Sequence, residues 1–494
     1  MLGCEREALR LGASESSISG MNSNPQDELS AGRLRTLFFY GAMIVVSVLA
    51  FAGIRWLGSG LSAQAPSGPA FGSGGKAAHV DTLLHVLLAM VVVIAAARLL
   101  GAVARYFQQP PVIGEVIAGV MLGPSLLGRV APDVASFLLP KTTAPFLGVI
   151  AQLGVILFMF LVGLQLDTGL LRKKTHTTVA ISHASILTPF LLGSVLALYL
   201  YPRFSSKDVP FTVFALFSGV SMSVTAFPVL ARILTDRGIH KSRLGVIALS
   251  CAAVDDITAW CLLAFVVSFA QARVGGALTT IGLALGYVAL MLVVVRPWIE
   301  RLVRSQELRR KTSGGATLAF VGLLVSALFT EWIGIHALFG AFLLGALIPH
   351  DSLLAKDLVH KLEDLVVILL LPAFFAFTGM RTQIGLLSTS YEWLACGLII
   401  VVACAGKLGG SALAARLSGL NWRDSTALGA LMNTRGLMEL IVLNLGLDLR
   451  VLSPTLFAML VLMALVTTFM TTPLLHWIAG DSIADSPTFS ESPR

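Results

Sequence analysis

Apolar runs long enough to cross a bilayer follow one another along most of this chain, and that feature excludes nearly every soluble fold. A helix needs about 20 predominantly apolar residues to cross roughly 30 Å of hydrocarbon. Inside that layer the backbone has no water to bond, so only helices or closed barrels can span it. The runs here are continuous, whereas barrel strands are alternating stretches of about 10 residues. Of the 494 residues, 56% are hydrophobic and 13% charged, and the mean hydropathy is +0.85. The expected fold class is an all-α polytopic membrane protein.

Some 14 segments qualify as spans. A polar, Ser-rich tail (1–35) carries no apolar core of a signal peptide and is expected to be disordered. A first spanning helix (36–57) is set apart by a Gly/Ser/Ala/Pro-rich linker (58–78), which leaves about 13 helices in a transmembrane domain (79–480) and a short tail (481–494). Loop charge gives the orientation, because basic residues collect on the cytoplasmic side. With the N-terminus in the cytoplasm, clusters such as Arg172, Lys173, Lys174 and Arg304, Arg309, Arg310, Lys311 fall inside, and so does the C-terminus. The reading is a multi-pass protein of a bacterial inner (plasma) membrane. The net charge of +8 then reflects basic loops and not nucleic-acid binding. Four of the five cysteines lie in expected spans without a CxxC pair, so neither a disulfide framework nor a metal site is expected. No phosphate-binding GxxxxGK[ST], HExxH or GxSxG motif is present, so ATP-driven pumping and enzymatic hydrolysis are not expected, nor is any cofactor.

The core contains a faint repeat. GLQLDTGLL (163–171) and GMRTQIGLL (379–387) share G…GLL spacing, each after a Phe-rich span. Polar interruptions follow each at a similar distance: SVTAFP (223–228) and MNTRG (432–436). The repeats start an odd number of spans apart and are therefore inverted. Inverted repeats with interrupted helices in matching places point to a transporter whose site lies near the midplane.

Charged residues inside spans carry the chemistry, since they are costly there and usually line ion or proton paths. Asp255 and Asp256 sit in the middle of GVIALSCAAVDDITAWCLLAFVVSFA (245–270), and Glu115, Gln165, Thr225, Lys407, Asn433, Arg435 and Glu439 complete the set. Polar glue between membrane helices is normally Ser, Thr, Asn or Gln, which does not account for six ionisable groups. Neighbours on a helix point about 100° apart, so one aspartate can face an ion path while the other meets a partner. Lys407, in ACAGKLGG (403–410), is the one lysine within a span and is expected to pair with one of them. The remaining aspartate has no obvious cationic partner. A sodium ion or a proton could compensate it, but not both at once, which is the chemical requirement of an antiporter.

In SVTAFPVLAR, Pro228 removes a helix hydrogen bond, and Ser221, Ser223 and Thr225 bring hydroxyls. In MNTRGLMEL, Gly436 permits a break, Asn433 can line a cavity, and Arg435 and Glu439 are spaced to pair on one face. Glu115 is expected to pair with Arg435, or otherwise to act in ion gating. His183 and His336 read as packed, hydrogen-bonded residues. A cation channel and a non-transporting scaffold are the other classes that fit a charged membrane core.

The motifs PPVIGEVIAGVMLGPSLLG, LGVILFMFLVGLQLD, SVTAFPVLARIL, VDDITAW, LPAFFAFTGMRT and LMNTRGLMELIVLN occur in this order between residues 80 and 478. They resemble the monovalent cation:proton antiporter-2 family, and NTRGLMELIVLN is especially similar to its plant cation/H+ exchanger branch. The resemblance implies the inverted-repeat sodium/proton antiporter fold, with about 13 core helices and two interrupted helices crossing near the midplane. It implies an elevator-like movement and a homodimer among membrane lipids. Asp256 matches the family's ion-binding aspartate, which would hold the transported Na+, with Thr225 and Ser223 nearby. Asp255 matches a position that is Asn in many electroneutral members and Asp in electrogenic sodium/proton antiporters, and Lys407 matches its partner. The double aspartate departs from the plant-like Asn-Asp pattern and turns the expectation from K+ towards Na+. The expected activity is secondary-active exchange of a monovalent cation, Na+ ahead of K+ or Li+, for H+.

Overall fold

A computed structural model describes residues 25–61, 82–140, 142–165, 176–239, 242–271, 277–309 and 313–479. Residues 1–24 of the expected tail, most of the linker, the C-terminal tail, the basic cluster 172–174 and the end of the first G…GLL repeat lie outside the described residues. The chain divides into two compact units, Met1–Ala50 and Phe51–Arg494.

The first unit is represented by most of α1 (Pro25–Gly58), which starts well before residue 36. The expectation of a disordered tail to residue 35 is corrected here. Proline is tolerated at a first helical position.

The second unit continues with α2 (Thr82–Tyr106), α3 (Pro111–Leu122), α4 (Ala144–Leu164), α5 (His176–Phe204), α6 (Phe211–Ser223), α7 (Phe227–Asp236) and α8 (Arg243–Gln271). Then follow α9 (Ala277–Leu290), α10 (Arg296–Arg309), α11 (Ser313–Ile333), α12 (Ala337–Leu347), α13 (Leu353–Leu365), α14 (Leu371–Arg381), α15 (Ser390–Cys404), α16 (Gly410–Leu417), α17 (Trp422–Met432), α18 (Leu437–Asp448) and α19 (Pro454–Ala479). Among the described residues there is no strand, and 12 helical stretches are long and apolar enough to cross a membrane. The expected segment 335–349 is the short apolar helix α12, and 424–446 is the split pair α17 and α18.

The helices pack in two groups. One contains α5 to α8 and α15 to α19; the other contains α2 to α4 and α9 to α14. The second group holds two close crossings fixed by glycine. A Cβ on Gly119 would lie 2.6 Å from the Ala376 carbonyl oxygen, and one on Gly163 would collide with that of Phe342. Small residues let membrane helices approach to backbone contact, which replaces the hydrophobic drive they lack in lipid.

Both interruptions break a helix completely. α6 ends at Ser223, Val224 is extended (ψ 136°), and α7 restarts at Phe227. Pro228 does not kink a continuous helix, as its position in the sequence suggests. It occupies the first turn of α7, where its missing N–H leaves nothing unsatisfied. α17 gives way at Asn433, and α18 starts after an extended Gly436. The breaks touch: the Ala226 N–H donates to the Thr434 carbonyl at 3.1 Å. A Cβ on Gly436 would come within 2.7 Å of Val229 Cγ2, so a larger residue here must push that side chain aside.

Candidate ion-binding site

Broken helices leave unpaired carbonyls at one end and unpaired N–H groups at the other. At the α6–α7 break, protein charges meet both. Arg435 donates from Nη1 to the Ser221 carbonyl (3.0 Å) and from Nη2 to the Met222 carbonyl (2.8 Å). Lys407 Nζ donates to the Ser223 carbonyl at 2.5 Å. Two cations thus lie at the negative end of α6. At the positive end of α7, the Phe227 N–H donates to the carboxylate of Asp256.

The two aspartates differ sharply in their partners. Asp255 is fully buried and receives four donors. Ser182 bonds Oδ1 at 2.5 Å, while Ser185, Thr225 (2.9 Å) and Lys407 Nζ (3.1 Å) converge on Oδ2. Asp256, only 3% exposed, has one oxygen, Oδ1, without a hydrogen-bond partner.

Lys407 owes its position to two local features. It lies in a π-helical turn, Ala405–Gly409, between α15 and α16. Single π turns inside α-helices recur at functional sites because they re-aim a side chain. Glycines flank it: a Cβ on Gly410 would lie 2.7 Å from the Thr188 side chain, so this helix presses directly against α5. There Pro189 lacks the N–H that would bond the carbonyl of Ser185, four residues back. Lys407 Nζ takes that carbonyl at 2.9 Å. The ammonium is therefore held by two helix carbonyls as well as by Asp255.

The other residues singled out in the sequence fall into place around this cluster. The Ser223 hydroxyl bonds its own helix at Gly219 (2.6 Å), so Ser223 offers only its carbonyl, and that to Lys407. The Thr225 hydroxyl is engaged by Asp255 and not by Asp256. Asn433 caps the end of α17, and its side chain donates to Cys404 Sγ at 3.6 Å. Arg435 pairs with Glu439 at 2.8 Å, both fully buried. The expected Glu115–Arg435 pair is corrected accordingly, since Arg435 is spent on Glu439 and the carbonyls of α6. The cationic neighbours of Glu115 are Arg98 and Arg105 on α2. His183 bonds the Val179 carbonyl (2.8 Å), and His336 caps α12.

Sequence reading missed Ser182 and Ser185. Their signal is ISHASILTP, two serines three apart on one face of a span just before a proline. It also missed a second polar cluster, in which Arg381 donates to Asn444 Oδ1 (3.1 Å) and pairs with Asp448.

The sequence model of the family described as "Sodium/hydrogen exchanger, transmembrane" matches residues 86–479. The chain is 45% identical over 397 residues to "Na(+)/H(+) antiporter NhaS4" of Synechocystis sp., covering 80% of this chain and 97% of that protein. It is 39% identical to "Cation/H(+) antiporter 20" of Arabidopsis thaliana, over 78% of this chain and 48% of the plant protein. It is 37% identical to "K(+)/H(+) antiporter 1" of Saccharomyces cerevisiae, over 76% and 44%. The chain spans about half the length of these plant and yeast relatives. Its fold is similar to that of the sodium proton antiporter MjNhaP1 from Methanocaldococcus jannaschii, with a TM-score of 0.59 at 14% identity, covering 83% of this chain and 100% of that one. The chain is an integral, multi-pass membrane protein and belongs to the sodium/hydrogen exchanger transmembrane family.

Proposed function

We propose that this protein exchanges Na+ for protons across a membrane and that Asp256 carries both ions in turn. The observation behind this reading is the inequality of two neighbouring carboxylates. Asp255 is saturated by protein donors, whereas Asp256 keeps a buried oxygen without one. A buried ionised carboxylate without a fixed counter-charge is unfavourable, so it must be neutralised. A proton or a hard monovalent cation can do so, and the two exclude each other. Names of relatives support the same reading, NhaS4 being called a Na(+)/H(+) antiporter.

Asp255 and Lys407 form the second charge pair. When a cation arrives at Asp256, Lys407 loosens from Asp255 while keeping the carbonyls of Ser185 and Ser223. Those carbonyls lower the cost of release, because the ammonium never stands without acceptors. Thr225 orients Asp255 for this step. Asp255 or Lys407 can then take a second proton on the return, which makes the exchange electrogenic. The two titrate as a coupled pair, so that proton belongs to neither alone. Arg435, Glu439 and Asn433 support the broken helices, and Glu115 lies apart with the arginines of α2.

The two helix groups fit an elevator mechanism, with α5–α8 and α15–α19 moving against the others. Assembly as a homodimer through the stationary group, among membrane lipids, and cytoplasmic termini in a bacterial plasma membrane belong to the same proposal. A K+/proton exchanger is the second reading, favoured by the yeast relative called a K(+)/H(+) antiporter. Dequenching of a pH gradient in proteoliposomes by Na+, K+ and Li+ in turn separates the two. Na+ is expected to be most effective, and Asp256→Asn to abolish the response while the protein stays folded. Retained Na+-driven proton movement in that variant would rule out the site.

A further inference from the structure

The helix α1 takes no part in the ion site, and the family match begins only at residue 86. Its last two turns nevertheless have a definite seat. Phe51, Ile54 and Gly58 recur at three- and four-residue spacing and so share one face of the helix. Ile54 on that face is 6% exposed, whereas Trp56 on the opposite face is 76% exposed, as suits a surface towards lipid. The Phe51 ring meets that of Phe190 on α5, with centroids 5.9 Å apart. A Cβ on Gly58 would collide with the ring of Phe211, the first residue of α6. That ring is held in place. Tyr201 of α5 stands edge-on against it at 5.3 Å, and the Tyr201 hydroxyl donates to the Val209 carbonyl at 2.6 Å. Glycine at position 58 therefore lets the helix close on α6.

α5 and α6 belong to one packing group and α2 to the other. The first two spans of the chain are thus attached on opposite sides of the boundary along which the groups would slide. Residues 62–81 connect them, and these are rich in Gly, Ala, Ser and Pro. Connections between helices of a bundle usually need only about 2 to 8 residues. A chain of 20 residues can reach up to about 70 Å, far more than a fixed neighbour requires. Surplus length of this kind has a use where the two ends move relative to each other.

We propose that the end of α1 is a permanent passenger of the moving group, seated on α5 and α6 throughout the exchange cycle, and that residues 62–81 supply the length its travel requires. The inference rests on the elevator reading. It assigns an added span to the moving half although its neighbour in sequence belongs to the stationary one.

Two arms test it in the full-length protein. In the first, Gly58→Cys and Phe211→Cys are combined in a chain whose native cysteines are changed to alanine. The contact between Gly58 and the Phe211 side chain suits the roughly 3.5 to 4.5 Å that separate the Cβ atoms of a disulfide. Oxidation should close the bond and leave cation-driven exchange within twofold of the reduced protein. A bond that closes and stops exchange until it is reduced would overturn the proposal, and so would a folded protein in which it never closes. In the second arm, spin labels are placed in pairs at three exposed positions, Trp56 on α1, Val195 on α5 and Leu328 on α11. Double electron–electron resonance then compares low pH without Na+ to high pH with it. The Trp56–Val195 distance should stay constant while Trp56–Leu328 and Val195–Leu328 both change. A Trp56–Leu328 distance that stays fixed while Val195–Leu328 changes would place α1 with the stationary group and overturn the proposal. A Val195–Leu328 distance that never changes would sink the elevator reading and the passenger role with it, while the disulfide still reports whether α1 is seated on α6.

Discussion

The two broken helices are built alike and charged differently. Each restarts with a carboxylate near the N-terminus of its second half: Asp256 against α7, and Glu439 in the first turn of α18. Each of these carboxylates has one oxygen without a hydrogen bond. Glu439, however, has its own cation, Arg435, at 2.8 Å and on the same helical face. Asp256 has only Lys407, and that is already bonded to Asp255 and two carbonyls. The carboxylate at the α17–α18 break therefore has its own cation permanently, while Asp256 at the α6–α7 break has none that is not already held by Asp255. A mobile cation is the natural complement of the second arrangement, and a rigid crossing point the natural use of the first.

Disrupting the permanent pair should cost the most stability. Arg435→Ala leaves Glu439 buried and unpaired, a loss of about 3 to 5 kcal/mol. It also uncaps the carbonyls of Ser221 and Met222, so the protein should melt far lower in detergent or fail to accumulate. An unchanged melting temperature would remove the distinction between the two breaks. Lys407→Ala comes next, because it strands Asp255. Here Ser182, Ser185 and Thr225 still donate to the carboxylate, so the loss should fall below that of Arg435→Ala, with less effect on cation preference than on melting temperature.

Asp255→Asn should be milder again, since the amide oxygen still accepts on one side, its NH2 can donate to a rotated hydroxyl on the other, and Lys407 keeps the carbonyls of Ser185 and Ser223. Exchange should persist in part but lose its dependence on membrane potential in solid-supported-membrane recordings. Net current that survives this change would place the extra charge elsewhere. Gly436→Ala probes only the steric fit of the crossing. Its methyl meets Val229 Cγ2 at 2.7 Å, and overpacking of this kind costs roughly 1 to 3 kcal/mol. Thermal unfolding should register that as the smallest of the four shifts.

Much of this arrangement was legible from residue type, because charge in an apolar run is conspicuous. Asp255, Asp256, Lys407, Arg435 and Glu439 stand out in the sequence, and so do both interruptions. What pairs with what was less legible. Arg435 has Glu439 four residues away, but its reach to α6 depends on the two breaks crossing, and only the fold fixes that. Glu115 was matched to the wrong arginine for the same reason: its charged neighbours lie on the preceding span, Arg105 at its end and Arg98 two turns inside, and nothing local in the sequence turns either towards Glu115. Ser182 and Ser185 are short polar residues of a kind common in membrane helices, and nothing local links them to a carboxylate some 70 residues away. The π turn at Lys407 has no composition signal beyond the surrounding glycines. Arg381 and Asp448 sit at helix ends, where charge is unremarkable until the ion pair between them is seen.

The most direct test of Asp256 as the shared seat of cation and proton is equilibrium binding of Na+ at a series of pH values, in the unmodified protein and in Asp256→Asn. If one proton must leave for one cation to bind, the apparent Kd should fall about tenfold per pH unit wherever the site is protonated, which corresponds to about 1.4 kcal/mol per unit. The variant should show no specific Na+ binding at any pH. Binding that ignores pH, or that survives in Asp256→Asn, would contradict the assignment.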